Sequence, residues 1–72
     1  MQTINWKPFF ENSSTRDALI EFAQGTLSIK QFHDMCWPKE CKAEVSKMNH
    51  IGTRASRLRA RRALTREGWW PQ

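Results

Sequence analysis

Six arginines and two tryptophans lie in the last twenty positions of this 72-residue chain. These residue types are well suited to bind a polyanion that contains stacked rings. Arginine presents a planar set of donors that matches phosphate and guanine edges and can stack on bases. Tryptophan adds a flat ring for base stacking. We therefore predict a nucleic-acid-binding segment. Its candidate contact residues are Arg54, Arg57, Arg59, Arg61, Arg62, Arg66, Trp69 and Trp70.

The net charge of the chain divides near residue 52. Residues 1–52 have six basic and six acidic side chains, whereas residues 53–72 have six arginines against Glu67 alone. The formal net charge of +5 therefore belongs to the last segment. This division predicts a net neutral helical domain over residues 1–52 and a basic helix with a Trp-Trp tail over residues 53–72.

The pattern of apolar residues predicts an all-α fold without strands. Trp6, Phe9 and Phe10 lie in a stretch without helical periodicity, and we expect them to form an N-terminal aromatic arm that packs onto the helices. Ser13 and Ser14 are the candidates to cap a first helix over residues 15–24, and Ser14 with Asp17 three residues later has the order of a capping box.

Two further helices complete the predicted small three-helix domain. Ser28 and Gln31 have the order of a capping box before a second helix. That helix is predicted to end near Trp37, because Pro38 disfavours helical geometry in the residue before it. Pro38 then suits the first turn of a third helix over residues 39–49, which Gly52 ends.

A C-terminal arginine-rich helix is predicted from residue 54 to about residue 67. Thr53 is expected to cap this helix and Gly68 to end it. Arginines cover most of its circumference, so it has little to bury and much like charge to repel. We expect it to be only partly formed until a polyanion neutralises it. Its narrow, weakly apolar strip consists of Ser56, Ala60, Ala63 and Leu64.

The order of residues over 52–69 resembles the arginine-rich motif of lambdoid phage N antitermination proteins. From Ser56 the chain reads Ser-Arg-Leu-Arg-Ala-Arg-Arg-Ala, and Trp69 follows six residues after Ala63. In that family such a run forms a bent helix in the major groove of a boxB RNA hairpin, and in one branch a tryptophan stacks on a loop base. The resemblance implies phosphate contacts from Arg57, Arg59, Arg61 and Arg62, close approach at Ala60 and Ala63, and base stacking by Trp69.

The same residues allow other interpretations. A run of charges is often only a solvated surface, and the rings of Trp69 and Trp70 can pack onto a small core as readily as onto bases. The alternative function is a protein-interaction module, such as a phage inhibitor or adaptor. In that case arginine and tryptophan, which are both enriched at interfaces, would anchor an acidic protein surface.

A zinc site and a helix-turn-helix are two further patterns that we weighed. The zinc set has suitable ligand types but not the usual spacing of paired cysteines, so we predict no metal and no other cofactor. The helix pair over 28–36 and 39–49 resembles a helix-turn-helix in order, although Glu40 and Glu44 would face phosphates unfavourably. The zinc candidates are His33, Cys36, Cys41 and His50, and the groove candidates are Lys39, Lys42, Ser46, Lys47 and Asn49.

Composition disfavours several function classes. The chain has no nucleophile–base set and no phosphate-cradling glycine loop, so an enzyme is not predicted. It has no apolar run long enough for a membrane span and no signal-peptide pattern, and its two cysteines suggest a reducing, cytoplasmic compartment.

These features together predict a small, non-enzymatic regulatory protein of a phage or mobile element. Its expected partner is nucleic acid, with structured RNA favoured over duplex DNA, and a host transcription or replication protein is a second candidate partner. The sequence leaves the oligomeric state open.

Overall fold

The computed structural model describes residues 3–36 and 39–71. Within these residues the chain forms five helices and no strand, which confirms the all-α prediction. The helices are α1 (Lys7–Glu11), α2 (Ser13–Ala23), α3 (Ile29–Met35), α4 (Lys39–Ile51) and α5 (Thr53–Arg66).

The N-terminal segment contains a short helix where the sequence predicts an aromatic arm without helical structure. Pro8 lies in the first turn of α1, where a missing backbone N–H leaves no helical hydrogen bond unmade. A five-residue helix is too short to show a periodic pattern, so the sequence gives no signal for it. The expected packing is confirmed, since Phe9 is fully buried and Trp6 and Phe10 pack against the core.

The N-terminal cap predicted from the sequence is confirmed for α3 but not for α2. Ser28 and Gln31 form the predicted capping box, with N–H···O distances of 3.1 and 2.9 Å. The predicted caps at Ser13 and Ser14 are wrong, because both residues lie inside α2. Asn12 has extended backbone geometry before α2 and accepts a hydrogen bond on Oδ1 from the N–H of Thr15 at 3.1 Å.

The boundaries around α4 and α5 also differ from the sequence-based prediction. α4 continues to Ile51, and Thr53 is the first residue of α5 rather than its cap. Gly52 precedes α5 with φ +101°, a left-handed value that suits glycine. α3 ends at Met35, whereas Trp37 and Pro38, where its end was predicted, lie outside the described residues.

An aromatic stack forms the centre of the molecule. The rings of Phe22 and Phe32 are 5.3 Å apart and nearly parallel, and the ring of Phe9 lies 5.8 Å from that of Phe32. All three side chains are fully buried. The stack joins α1, α2 and α3, and Val45 and Met48 of α4 complete the core beside it.

α5 packs along α2 and against α4, with the predicted apolar strip turned inward. Ala60 and Leu64 are fully buried, and Ser56 donates a hydrogen bond from Oγ to the Met48 carbonyl at 3.3 Å. The expectation of a partly formed helix is therefore not met. The small residues of the strip let α5 approach its neighbours closely, so even a narrow strip becomes part of the core.

Candidate nucleic-acid interface

The arginines of α5 lie around the part of the helix that the core leaves uncovered. Successive residues advance by about 100°, so Arg57 and Arg59 fall at the two edges of the buried strip. Both are half-buried. The exposed arginines are Arg54, Arg61, Arg62 and Arg66.

Arg57 is bound to the body of the protein. Its Nε donates to the Phe22 carbonyl at 3.1 Å and one terminal nitrogen donates to the Leu27 carbonyl at 3.0 Å. The guanidinium also lies 5.3 Å from the centre of the Phe22 ring. Arg57 therefore satisfies carbonyl groups at the end of α2 and in the following loop, and its donors point inward.

The two tryptophans fold back along the helices because α5 ends in a tight reversal at Gly68. The N–H of Trp69 donates to the Leu64 carbonyl at 2.8 Å and that of Gly68 to the Thr65 carbonyl at 3.1 Å. This pair of hydrogen bonds is the Schellman pattern, and the φ of +80° at Gly68 suits it.

Each tryptophan ring then meets an arginine. The guanidinium of Arg16 lies 3.8 Å from the Trp69 ring centre, and that of Arg61 lies 5.1 Å from the Trp70 ring centre. Arg16 also donates to the Phe10 carbonyl at 2.8 Å. Trp70 packs against the core, while Trp69 stays 42% exposed. In this conformation the tryptophans pack onto the protein.

Three arginines of α5 have no bound partner within the described residues. The guanidinium groups of Arg54, Arg62 and Arg66 make neither a hydrogen bond nor an ion pair there. Glu67, the acidic residue nearest in sequence to Arg66, is itself exposed. These three guanidinium groups are available to an external anion.

Two adjoining clefts lie between α5 and the N-terminal segment. Their volumes are about 380 and 260 Å³, and Trp6, Ala63 and Arg66 line both of them. Arg59 and Arg62 line the smaller cleft. Sequence reasoning assigned Trp6 to the core alone, because no local pattern connects residue 6 with residues 59–66.

The helix-turn-helix candidate has few free cations. α3 and α4 do pack together. However, Lys42 donates to the His33 carbonyl at 3.0 Å, and Lys47 pairs with Glu44 at 3.1 Å. Two of the three lysines that this interpretation needs are thus engaged within the protein.

An apolar patch at the junction of α4 and α5 is the other notable surface. Ile51, Ala55 and Leu58 line an open depression of about 630 Å³, and the Leu58 side chain is 50% exposed. Arg54 lines the same depression. The patch therefore combines exposed apolar area with positive charge.

The cysteines are buried free thiols. Burial is the main cause that raises the pKa of Cys36 to about 12 and that of Cys41 to about 11. Within residues 3–36 and 39–71, no group of three or more His, Cys, Asp or Glu side chains is placed to hold a metal ion. The four zinc candidates, which the sequence analysis disfavours, are not brought together in the described part of the chain.

Among the described residues, none of the helices has the length and apolar character needed to cross a membrane. Comparisons with protein-family models, curated proteins and solved structures found no match to this chain.

Proposed function

We propose that this chain is a small, non-enzymatic nucleic-acid-binding protein that uses the exposed side of α5. The observation that carries the proposal is the set of unpaired guanidinium groups of Arg54, Arg62 and Arg66 on one packed helix. Arginine forms paired hydrogen bonds with phosphate oxygens, and a polyanion supplies several phosphates at once. Structured RNA is the favoured ligand, with the backbone of duplex DNA as the second.

The packing of α5 supports this proposal energetically. Binding costs less when the contact residues are ordered beforehand, and the burial of Ala60 and Leu64 already fixes this helix. The arginines are thus presented from a rigid element. Ordering of the whole segment on binding, which the sequence suggests, is not needed for the proposed contact.

The proposed contact face differs from the one that the N-protein resemblance implies. Ala60 is fully buried in the core, Ala63 is almost fully buried beside the clefts, and Arg57 is held by two carbonyls. An RNA would therefore meet the side of α5 that the core leaves uncovered, where the exposed arginines can contact its phosphates. A regulatory role in the cytoplasm of a phage host is the setting that the resemblance suggests.

Binding of a labelled RNA hairpin by charge variants tests the proposal. The double variant Arg62→Gln/Arg66→Gln should bind at least tenfold more weakly at about 0.1 M salt, because two phosphate contacts are lost. The matched control is Lys30→Gln/Lys39→Gln, which removes the same charge from exposed positions of α3 and α4. Equal losses in both double variants would show only a net-charge effect and would contradict a specific face.

A protein-interaction module is the second candidate, and the exposed Leu58 side chain favours it. An acidic, apolar partner surface would suit Leu58 and Ile51 flanked by Arg54. In a pulldown with nuclease, this function predicts a retained protein that Leu58→Gln loses. If nuclease releases everything that the wild-type chain retains, this second candidate fails.

A further inference from the structure

A stripe of arginines forms one wall of the clefts beside the N-terminal segment. Arg59, Arg62 and Arg66 occupy positions i, i+3 and i+7 of α5, which places them on one side of the helix over about 10 Å. All three line the smaller cleft. An extended anion that runs along α5 therefore passes the mouth of this cleft.

The opposite wall contains a held aromatic ring. Trp6 is half-buried and its ring lies 5.7 Å from the ring of Phe9, which is fully buried. The neighbouring Asn5 backbone N–H donates to Glu44 Oε1 at 2.6 Å, and this bond ties the segment to α4. Trp6 thus presents its uncovered part to both clefts from a supported position.

Ala63 separates the two walls and leaves room between them. It lines both clefts and has no side-chain atom beyond Cβ. The larger cleft, at about 380 Å³, is in the size range of small-ligand sites, and the smaller one adds about 260 Å³ beside it. A flat ring can therefore enter next to Trp6 without displacing a long side chain.

The distribution of charge orients a ligand in this space. The larger cleft is lined by Glu11 and Glu67 but also by Lys7 and Arg66, so its formal charges balance. The smaller cleft has no acidic lining residue among those described and has Arg59, Arg62 and Arg66. Phosphates are therefore expected on the side of the smaller cleft.

We propose that these clefts bind one unpaired nucleotide of RNA, with its base against Trp6 and its flanking phosphates at Arg62 and Arg66. The inference rests on the proposed nucleic-acid binding and deepens it by naming an unpaired base as part of the ligand. A base in a duplex is stacked on its neighbours, whereas a loop base can turn outward and stack on an aromatic side chain. The protein then prefers hairpin loops over continuous duplex.

Two probes with the same number of phosphates test the inference. One is an RNA hairpin with a uridine-rich loop, and the other is a fully paired RNA duplex. The wild-type chain should bind the hairpin about tenfold or more tightly than the duplex, as expected for one stacked base. Trp6→Leu keeps apolar volume but loses the flat ring, so it should lose this preference and keep its affinity for the duplex.

Two further variants test whether the hairpin preference comes from stacking on Trp6. One controls for a change in the fold, and the other controls for stacking on a different tryptophan. Trp6→Phe retains an aromatic ring and should keep most of the preference for the hairpin. Trp69→Leu removes the most exposed tryptophan among the described residues and should leave the preference for the hairpin unchanged. A preference that survives in Trp6→Leu, or that disappears in Trp69→Leu, overturns the inference.

Photocrosslinking gives a readout that needs no variant. With 5-iodouridine in the hairpin loop, the cross-linked peptide should contain Trp6, and a cross-link confined to Trp69 or Trp70 overturns the assignment. Duplex binding without preference for the hairpin overturns this inference but leaves the proposed function standing. Absence of binding to both probes overturns both.

Discussion

Arg57 and Arg62 lie on the same helix and have different surroundings. The guanidinium of Arg57 is shared between the carbonyls of Phe22 and Leu27, whereas Arg62 is exposed beside the smaller cleft. In sequence they look alike, since both belong to one basic run. The difference arises from the packing of α5 on α2, which brings residues 22 and 57 together.

The two arginines should therefore separate stability from binding. Arg57→Ala removes this donor from one carbonyl at the end of α2 and one in the following loop, and should lower the free energy of unfolding by about 2 kcal/mol. For a domain of this size that loss corresponds to a fall in Tm of roughly 10 °C. Arg62→Ala should weaken RNA binding with little change in Tm. Thermal melts followed by circular dichroism measure the Tm of each variant. Equal Tm shifts in Arg57→Ala and Arg62→Ala would contradict the assignment.

The buried thiols predict how stability depends on pH. In the unfolded chain they ionise near their ordinary pKa of 9.0, but burial holds the pKa of Cys36 at about 12 and that of Cys41 at about 11 in the fold. Between about pH 9 and 11 the unfolded state therefore loses protons that the folded state keeps. The free energy of unfolding should fall as the pH rises through this window.

Urea unfolding at pH 8 and pH 10 measures this dependence. The wild-type chain should lose stability between the two values, and Cys36→Ala/Cys41→Ala should lose less, because it has no thiol to ionise. A double variant with the same pH dependence as the wild type would show that other groups cause it.

At the scale of elements, α5 belongs to the core. The sequence correctly predicts its inner strip, because Ser56, Ala60 and Leu64 follow helical spacing. It does not reveal how well such small residues pack, since that depends on the facing surface of α2. The boundary near residue 52 marks a change in charge, and the packing continues across it.

Truncation tests whether residues 1–52 are an independent unit. Without α5, Leu19 and Phe22 of α2 lose part of their cover, so the chain 1–52 should show weak helical circular dichroism and no cooperative thermal transition. The control is the chain 1–68, which keeps α5 and loses only the Trp-Trp tail. A cooperative melt of residues 1–52 would support the division of the chain that its charge suggests.

For the whole molecule, the sequence predicts local features better than it predicts contacts between residues that are far apart in the chain. The all-α class and the Ser28 capping box follow from spacing and residue type. The cleft next to Trp6 does not, because it depends on residue 6 meeting a helix more than fifty positions later. For Trp69 and Trp70 the sequence left core packing and base stacking equally open, and in the structure both rings pack onto the protein, since Gly68 reverses the chain.

The charge of the whole molecule is concentrated on one face, and this asymmetry underlies the proposed function. The net charge of +5 comes from the arginine segment, where one arginine is held inside and four are exposed. A ligand with many phosphates gains from several such groups at once and releases bound counterions. The strength of binding should therefore depend steeply on salt.

The salt dependence of RNA hairpin binding tests the central claim most directly. Three phosphate contacts, from Arg54, Arg62 and Arg66, predict a slope of log affinity against log salt concentration of about −2 to −3. Arg62→Gln/Arg66→Gln should reduce the magnitude of that slope by about 1.5 to 2, and the Lys30→Gln/Lys39→Gln control should leave it unchanged. A flat dependence for the wild-type chain would contradict nucleic-acid binding through α5.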